Sequence, residues 1–281
     1  MDSYSDFAYV YEMFMDNVPY SEWAKRIRKL LEQYDERIIP EDSALKAEAS
    51  LLVDLGCGTG TLTRLLKEYG YDCIGIDSSE QMLEVALGHE DGKADEDRIL
   101  YLNQDMREFE LYSTAGAFVC VCDSLNYLTD PADVLKTFHL VNNYLYPKGL
   151  FVFDFNTVRY YRDELGNTVI AENRPEASFI WENYYDDEDH INEYDLTIYR
   201  RVDTGSANNG EGNEDGPRAL YERFEETHVQ KGYYPEEIFK LIEESGLKLV
   251  KAFDSDTEGE VTDGSLRVCV VARESGKEDI H

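Results

Sequence analysis

Along the first 160 residues, short continuous apolar runs alternate with stretches whose apolar residues have helical spacing. We predict strands for the apolar runs at 51–55, 71–77, 99–105, 115–123 and 150–156. Helices are predicted after Gly60, from Ser79 and over 131–146. Strands that are apolar on both faces and alternate with helices are typical of a parallel sheet covered by helices.

Different patterns flank this region. Residues 4–36 carry aromatic and apolar residues at helical spacing, with a break at 18–20, and predict two amphipathic helices within a helical cap of residues 1–40. Residues 161–230 contain runs of period-2 alternation rich in Tyr, Ile, Thr and Val, which predict an antiparallel insert with a flexible loop at 203–217. A helix over 235–246 and two final strands complete the main domain, which we assign to 1–160 and 231–281.

The charge of the chain restricts its partners. The chain contains 59 Asp and Glu but 27 Lys and Arg, so its formal net charge is −32. Such a surface repels nucleic-acid backbones and anionic membranes. The five cysteines include no C-x-x-C pair, and no apolar stretch approaches the roughly 20 residues of a membrane span. We therefore expect a cytoplasmic protein with reduced thiols that binds neither nucleic acid nor membrane.

A candidate ligand-binding loop, GCGTG at 56–60, connects the first predicted strand to the helix that follows it. Glycines allow a tight turn and close approach of a ligand, and the helix start offers free N–H groups. Thr61 stands where a dinucleotide fingerprint needs its third glycine, which disfavours a nicotinamide-dependent oxidoreductase. Asp77 stands at the end of the next strand, where it could accept hydrogen bonds from ribose hydroxyls. Asp105 follows the third strand, where it could accept a hydrogen bond from the amino group of an adenine.

These segments resemble the class I S-adenosylmethionine-dependent methyltransferases. VDLGCGTG is similar to their first motif, GIDSSEQML to their ribose-binding segment and NQDMREF to their adenine-binding segment. The aromatic N-terminal stretch with CDSLNYL and RFEETH is similar to small bacterial methyltransferases, related in layout to glycine, sarcosine and amino-sugar N-methyltransferases. The resemblance implies a Rossmann-like α/β fold with a mostly parallel seven-stranded sheet, S-adenosylmethionine as cofactor, and an antiparallel β insert that covers the acceptor.

The resemblance also implies which residues contact the cofactor. In the glycine loop, Asp54 would fix the loop or meet the cofactor's ammonium group. Aromatic side chains of the N-terminal helices would close over the site. The implied cofactor residues are Asp54, Gly56, Cys57, Gly58, Gly60, Asp77, Ser78, Met82, Asp105, Met106, Cys122, Tyr11, Tyr20 and Trp23.

Methyl transfer requires an acceptor lone pair about 3 Å from the methyl carbon and, for some acceptors, a base. We take His228 as the first candidate base, with Asp123 and Tyr127 as further catalytic candidates. Asp123, Asp154 and Asn156 loosely resemble the magnesium site of catechol-type O-methyltransferases. In that family the second acid and the amide are neighbours, whereas Phe155 separates them here, so we expect no catalytic metal.

The sequence also contains features that bear on the methyl acceptor. The DSLNY segment at 123–127 lacks the Asp/Asn-Pro-Pro-aromatic motif of enzymes that methylate nucleic-acid bases or protein glutamine. Acidic, tyrosine-rich surroundings favour a small amine, and hence N-methylation. A protein acceptor and a non-catalytic S-adenosylmethionine-binding module remain alternatives. The tyrosine-rich edge strands of the insert also offer a surface for a homodimer.

Overall fold

A computed structural model describes residues 5–39, 41, 43–202 and 219–278. The predicted loop at 203–217 lies outside the described residues. In chain order the elements are α1 (Ser5–Phe14), α2 (Tyr20–Tyr34), α3 (Ser43–Ser50), β1 (Leu51–Leu55), α4 (Thr61–Glu68), β2 (Asp72–Asp77), α5 (Glu80–Gly88), β3 (Leu100–Asn103), β4 (Ala115–Cys120), α6 (Pro131–Tyr144), β5 (Leu145–Asn156), β6 (Val169–Asn173), β7 (Ala177–Asp186), β8 (Ile191–Val202), β9 (Leu220–Lys231), α7 (Pro235–Glu244), β10 (Leu247–Asp254) and β11 (Arg267–Glu274).

The main sheet has seven strands in the order β10-β11-β5-β4-β1-β2-β3. Pairs among β1 to β5 are parallel, and β11 runs antiparallel to both β5 and β10. The mostly parallel seven-stranded sheet predicted from the sequence is therefore confirmed. The chain order reverses between β1 and β4, and such a switch point opens a crevice beyond the carboxyl ends of the strands.

Both faces of this sheet are buried, as the continuous apolar runs predict. On one face, Phe138 of α6 packs against the stacked rings of Phe151 and Phe153, and all three are fully buried. On the other face, α2 buries Ile27 and Leu31 in a cluster that includes Leu66 of α4. The sheet is thus held rigidly between helices, which fixes the positions of its strand ends.

The insert is a second, four-stranded antiparallel sheet in the order β6-β7-β8-β9. Trp181 pairs with Leu196, and Tyr194 pairs with His228. Buried Asn126 joins this sheet to the main domain, because its side-chain amide donates to the backbone carbonyls of Asn156 (2.9 Å) and Lys231 (2.7 Å). The antiparallel insert is confirmed, and it is anchored beside the end of β5.

Several boundaries differ from the sequence prediction. The helix α3 and the strand β6 were not predicted, and β5 begins at Leu145, where it pairs with Ala115, instead of at 150. The strand β4 stops at Cys120 instead of 123 because Cys122 and Asp123 adopt left-handed backbone angles that a strand cannot contain. Within the described ranges, no helix combines the length and apolar character needed to cross a membrane.

Candidate active site

The glycine loop after β1 depends on left-handed backbone angles. Gly56, Gly58 and Gly60 have φ values of 70°, 54° and 75°. A Cβ at Gly60 would lie 2.2 Å from the hydroxyl of Tyr101, whereas one at Gly58 would meet no described atom within 4 Å. Gly60 is therefore required by packing, and Gly58 faces open space. An open glycine beside a helix start fits the predicted approach of a cofactor.

Asp77 at the end of β2 holds this loop in place. Its two carboxylate oxygens accept hydrogen bonds from the backbone N–H groups of Gly58 and Ser79, each at 2.8 Å. Burial raises the pKa of Asp77 despite these bonds. A carboxylate offers about four lone-pair positions. Asp77 can therefore accept further hydrogen bonds from ribose hydroxyls.

Asp54 lies deeper, beneath the loop, with 2% of its surface exposed. The hydroxyl of Thr63 donates to Asp54 at 2.6 Å. Burial raises the pKa of Asp54 to about 7, because this hydrogen bond compensates only part of the lost hydration. Asp54 is therefore partly protonated near neutral pH.

One cavity of about 770 Å³ joins the cofactor crevice to the insert. The predicted residues that line it are Tyr11, Tyr20, Asp54, Gly56, Cys57, Gly58, Asp77, Ser78, Met82, Asp105, Met106, Cys122, Asp123, Tyr127 and His228. Gly60 and Trp23 are not in the lining. Gly60 precedes α4, and Trp23 packs with its ring edge-to-face against Tyr20 and 5.7 Å from the guanidinium carbon of Arg267.

Asp105 is already engaged at the predicted adenine end. Arg107 donates to both of its oxygens, with distances of 2.6–3.1 Å, and also reaches Asp133 at 3.1 Å. The hydrogen bonds from Arg107 lower the pKa of Asp105. Asp105 is therefore an ionised acceptor of fixed orientation, next to Met106 in the cavity wall.

The loop after β4 has two consecutive left-handed residues, Cys122 (φ 62°) and Asp123 (φ 53°). Each such non-glycine residue costs about 1–2 kcal/mol. The backbone N–H of Asp123 donates to Asp154 at 3.2 Å, and its carboxylate accepts from Gln230 (2.9 Å) and Arg267 (3.0 Å). These contacts hold the strained loop against the cavity.

The guanidinium of Arg267 lies between Asp123, Asp154 and Asn156, the three residues that loosely resemble a magnesium site. Its guanidinium contacts oxygens of Asp123 (3.0 Å), Asp154 (3.5 Å) and Asn156 (3.0 Å). A guanidinium thus supplies one positive charge to the two acids. In the chain as described, no group of three or more His, Cys, Asp or Glu is arranged to hold a metal ion. Arg267 lies in the last strand and carries no local signal that sequence reasoning could have used.

Tyr127, His228 and Tyr194 form a polar cluster where the insert meets the loop after β4. The Tyr127 hydroxyl lies 3.0 Å from the Tyr194 hydroxyl and 3.2 Å from Nδ1 of His228. The rings of Tyr194 and His228 stack with centroids 4.8 Å apart. Burial lowers the pKa of His228, so its imidazole is neutral at neutral pH. A neutral imidazole can accept a proton from a substrate.

Sequence reasoning missed most of the insert's contribution to the cavity wall. The additional lining residues of the insert are Glu172, Phe179, Trp181, Tyr194, Leu196, Ile198, Glu226 and Thr227. The period-2 alternation of β7 and β8 placed Phe179 with Trp181, and Tyr194 with Leu196, on shared faces. It could not indicate which face meets the cofactor crevice.

Comparisons with known proteins agree with this geometry. A family model described as a methyltransferase domain matches residues 52–149. A Geobacillus protein named "Putative methyltransferase" is 30% identical over 96% of this chain and 99% of its own length. An N,N-dimethyltransferase of Streptomyces venezuelae, which acts on dTDP-3-amino-3,4,6-trideoxy-alpha-D-glucopyranose, is 35% identical over 38% of this chain and 43% of its own. The crystal structure of an S-adenosylmethionine-dependent methyltransferase from Clostridium acetobutylicum superposes with a TM-score of 0.77 at 23% identity, covering 98% of this chain and all of that one.

Proposed function

Because this chain belongs to the class I S-adenosylmethionine-dependent methyltransferases, we propose that it methylates the nitrogen of a small amine. When bound, the cofactor supplies a methyl group on a positively charged sulfur. The residues of this chain bind and orient both partners. The cavity of about 770 Å³ lies within the range of about 300–1,000 Å³ typical of small-molecule sites.

The cofactor-binding part of the proposal follows the strand ends. Asp77 would accept hydrogen bonds from the ribose hydroxyls, and Asp105 with Met106 would contact the adenine edge. Gly56 and Gly58 would pass beneath the methionine portion. These roles fit the open space above Gly58 and the lone pairs that Asp77 retains.

The neutral His228 at the cavity wall carries the proposal of an amine acceptor. An amine is protonated near neutral pH and must lose a proton before its lone pair can attack the methyl carbon. His228 can accept that proton, while Tyr127 fixes its ring through the 3.2 Å contact to Nδ1. Asp123 is less suited to be the base, because both of its oxygens already accept hydrogen bonds from Gln230 and Arg267.

The comparison with the Streptomyces venezuelae enzyme supports nitrogen as the acceptor atom, since the enzyme's name specifies N,N-dimethylation. The shared region is restricted to 108 residues. The region shared with that enzyme therefore does not extend over the whole cavity wall.

The test is turnover of S-adenosylmethionine with matched panels of small amines, phenols and carboxylates, in which S-adenosylhomocysteine is measured by mass spectrometry. We expect methylated amines and a loss of rate of about 10²–10⁴-fold in His228→Gln. His139→Gln is the matched control, because His139 is exposed on α6. Turnover of phenols or carboxylates alone, or of a protein alone, would contradict the proposal.

A second measurement separates binding from catalysis. Calorimetric titration with S-adenosylhomocysteine should show binding that Asp77→Ala abolishes. Binding without turnover of any compound in the panels would favour a protein acceptor or the non-catalytic module.

A further inference from the structure

The face of the insert that closes the cavity is organised in cross-strand rows. Trp181, Leu196 and Glu226 form one row across β7, β8 and β9, and Tyr194 with His228 forms part of the next. Side chains two residues apart on one strand point to the same face, about 7 Å apart along the strand. Glu226 therefore lies about 7 Å from His228 along β9, on the same cavity wall.

The other carboxylates near this wall have cationic partners. Glu172 accepts from Arg174 at 2.5 Å, and Asp123 accepts from Arg267 at 3.0 Å. The side chain of Glu226 makes no hydrogen bond or ion pair with any residue that the structure describes, although it lies half-buried in the cavity lining. Burial raises its pKa, and no neighbouring cation offsets that effect. A half-buried carboxylate without a counter-charge is suited to bind a cation from a ligand.

The other side chains of the cavity lining suit a cation near Glu226 and disfavour an anion there. The indole of Trp181 and the phenol of Tyr194 lie with ring centroids 5.2 Å apart, and aromatic faces attract ammonium groups. Among the described residues that line the cavity, Arg107 is the only Lys or Arg, and it is bound to Asp105 and Asp133 at the cofactor end. Among the described residues, the part of the insert that lines the cavity therefore provides no Lys or Arg to bind a phosphate.

We propose that the acceptor carries a second, non-reacting ammonium group, which Glu226 binds beside Trp181 while His228 faces the nitrogen to be methylated. This inference rests on the proposed function and deepens it. A chain of roughly three to five carbons between two nitrogens spans the separation of the two rows. The acceptor class is thus a small diamine without phosphate, unlike the nucleotide-linked amino sugar of the Streptomyces venezuelae enzyme.

The test compares butane-1,4-diamine with butylamine as acceptors for the wild-type protein and two variants. Glu226→Gln removes the proposed counter-charge. Glu193→Gln makes the same change in net charge on the exposed, opposite face of the same sheet. We expect KM for the diamine to rise about 10- to 100-fold in Glu226→Gln and to stay unchanged in Glu193→Gln. The affinity for S-adenosylhomocysteine should be unchanged in both variants.

Equal KM values for diamine and monoamine in the wild type, or an unchanged KM in Glu226→Gln, would overturn the inference. A binding experiment distinguishes this failure from failure of the proposed function. With S-adenosylhomocysteine bound, calorimetric titration with butane-1,4-diamine needs no turnover, and binding should be lost in Glu226→Gln. Binding of thymidine 5′-diphosphate in place of the diamine would instead favour a phosphate-bearing acceptor and overturn the inference.

Discussion

The protonation state of Asp54 should control cofactor affinity. Its pKa of about 7 leaves the carboxyl mostly neutral at pH 6 and mostly ionised at pH 8. If Asp54 meets the ammonium group of the cofactor's methionine portion, only the ionised form binds tightly. The affinity for S-adenosylhomocysteine should then rise about 16-fold between pH 5.5 and pH 7, since with a pKa of about 7 the ionised fraction rises from about 3% to about one half.

The assay is calorimetric titration in buffers of different ionisation enthalpy, which also measures proton release on binding. Methylthioadenosine is the control ligand, because it retains the adenine and ribose but lacks the amino-acid portion. Its affinity should not follow the ionisation of Asp54, whereas titration of Asp77 or His228 would affect both ligands. Asp54→Asn should weaken S-adenosylhomocysteine binding and remove its pH dependence. A flat profile for S-adenosylhomocysteine between pH 5.5 and pH 7 would refute the contact and leave Asp54 the role of fixing the loop through Thr63.

Asp54→Asn should weaken ligand binding but increase the stability of the folded protein. The pKa of Asp54 is raised in the folded state from 3.8 to about 7, so the native protein loses stability as pH rises through that interval. Asp54→Asn keeps an oxygen that can accept the hydrogen bond from Thr63. It should therefore raise the free energy of unfolding at pH 8 by up to about 4 kcal/mol, measured by denaturant titration of the ligand-free protein. A lower stability at pH 8 would contradict this account.

Three further predictions concern the supports of the site, each measured by denaturant unfolding. Gly60→Ala should lower the free energy of unfolding more than Gly58→Ala does. Both variants lose about 1–2 kcal/mol by placing a non-glycine residue in the left-handed region, but only Gly60→Ala also places its Cβ against the buried hydroxyl of Tyr101. Equal losses of stability would contradict the packing argument. Arg267→Met should lower the free energy of unfolding by about 3–5 kcal/mol at pH 8, because it leaves buried carboxylates without their counter-charge. The loss should become smaller as the pH is lowered, because burial raises the pKa of Asp154 and favours its neutral form. A pH-independent loss would count against this reading. Asn126→Leu should lower the free energy of unfolding by about 1–3 kcal/mol for each backbone group that loses its hydrogen bond to the Asn126 side chain. A total loss below about 1 kcal/mol would show that the insert does not depend on this link.

The cofactor half of the site could be predicted from the sequence because its determinants are local. The strand-loop-helix transition at 51–61 contains its own glycines, and Asp77 and Asp105 each follow an apolar run that predicts a strand. Parallel strands bring their carboxyl ends to one edge, so order along the chain becomes proximity in space. The occupation of Asp105 by Arg107 could not be foreseen, because pairing with a neighbour two residues away depends on the local turn.

The acceptor half could be predicted only as an antiparallel insert. Its cavity face depends on the register between β7, β8 and β9, and a shift by one residue would turn Trp181 and Glu226 away from the cavity. His228 was identified as a candidate from its residue type, but Tyr194 joins it only through cross-strand pairing. Arg267 lies 144 positions after Asp123, and no periodicity connects them.

The polar links between insert and main domain suggest how acceptor choice and cofactor binding are separated in this fold. Gln230 of β9 donates to Asp123 at 2.9 Å, so the insert is attached to the strained loop after β4 on the acceptor side of the cavity. Glu226 and Trp181 lie two rows farther along, beyond the row of Tyr194 and His228, and form no described hydrogen bond with the loops after β1 and β2. If Glu226 and Trp181 bind the acceptor as proposed, substitutions in their row should change acceptor choice while leaving the glycine loop intact. Substitution of Gln230 should instead alter turnover for every acceptor, because it removes the hydrogen bond from the insert to Asp123 in the strained loop.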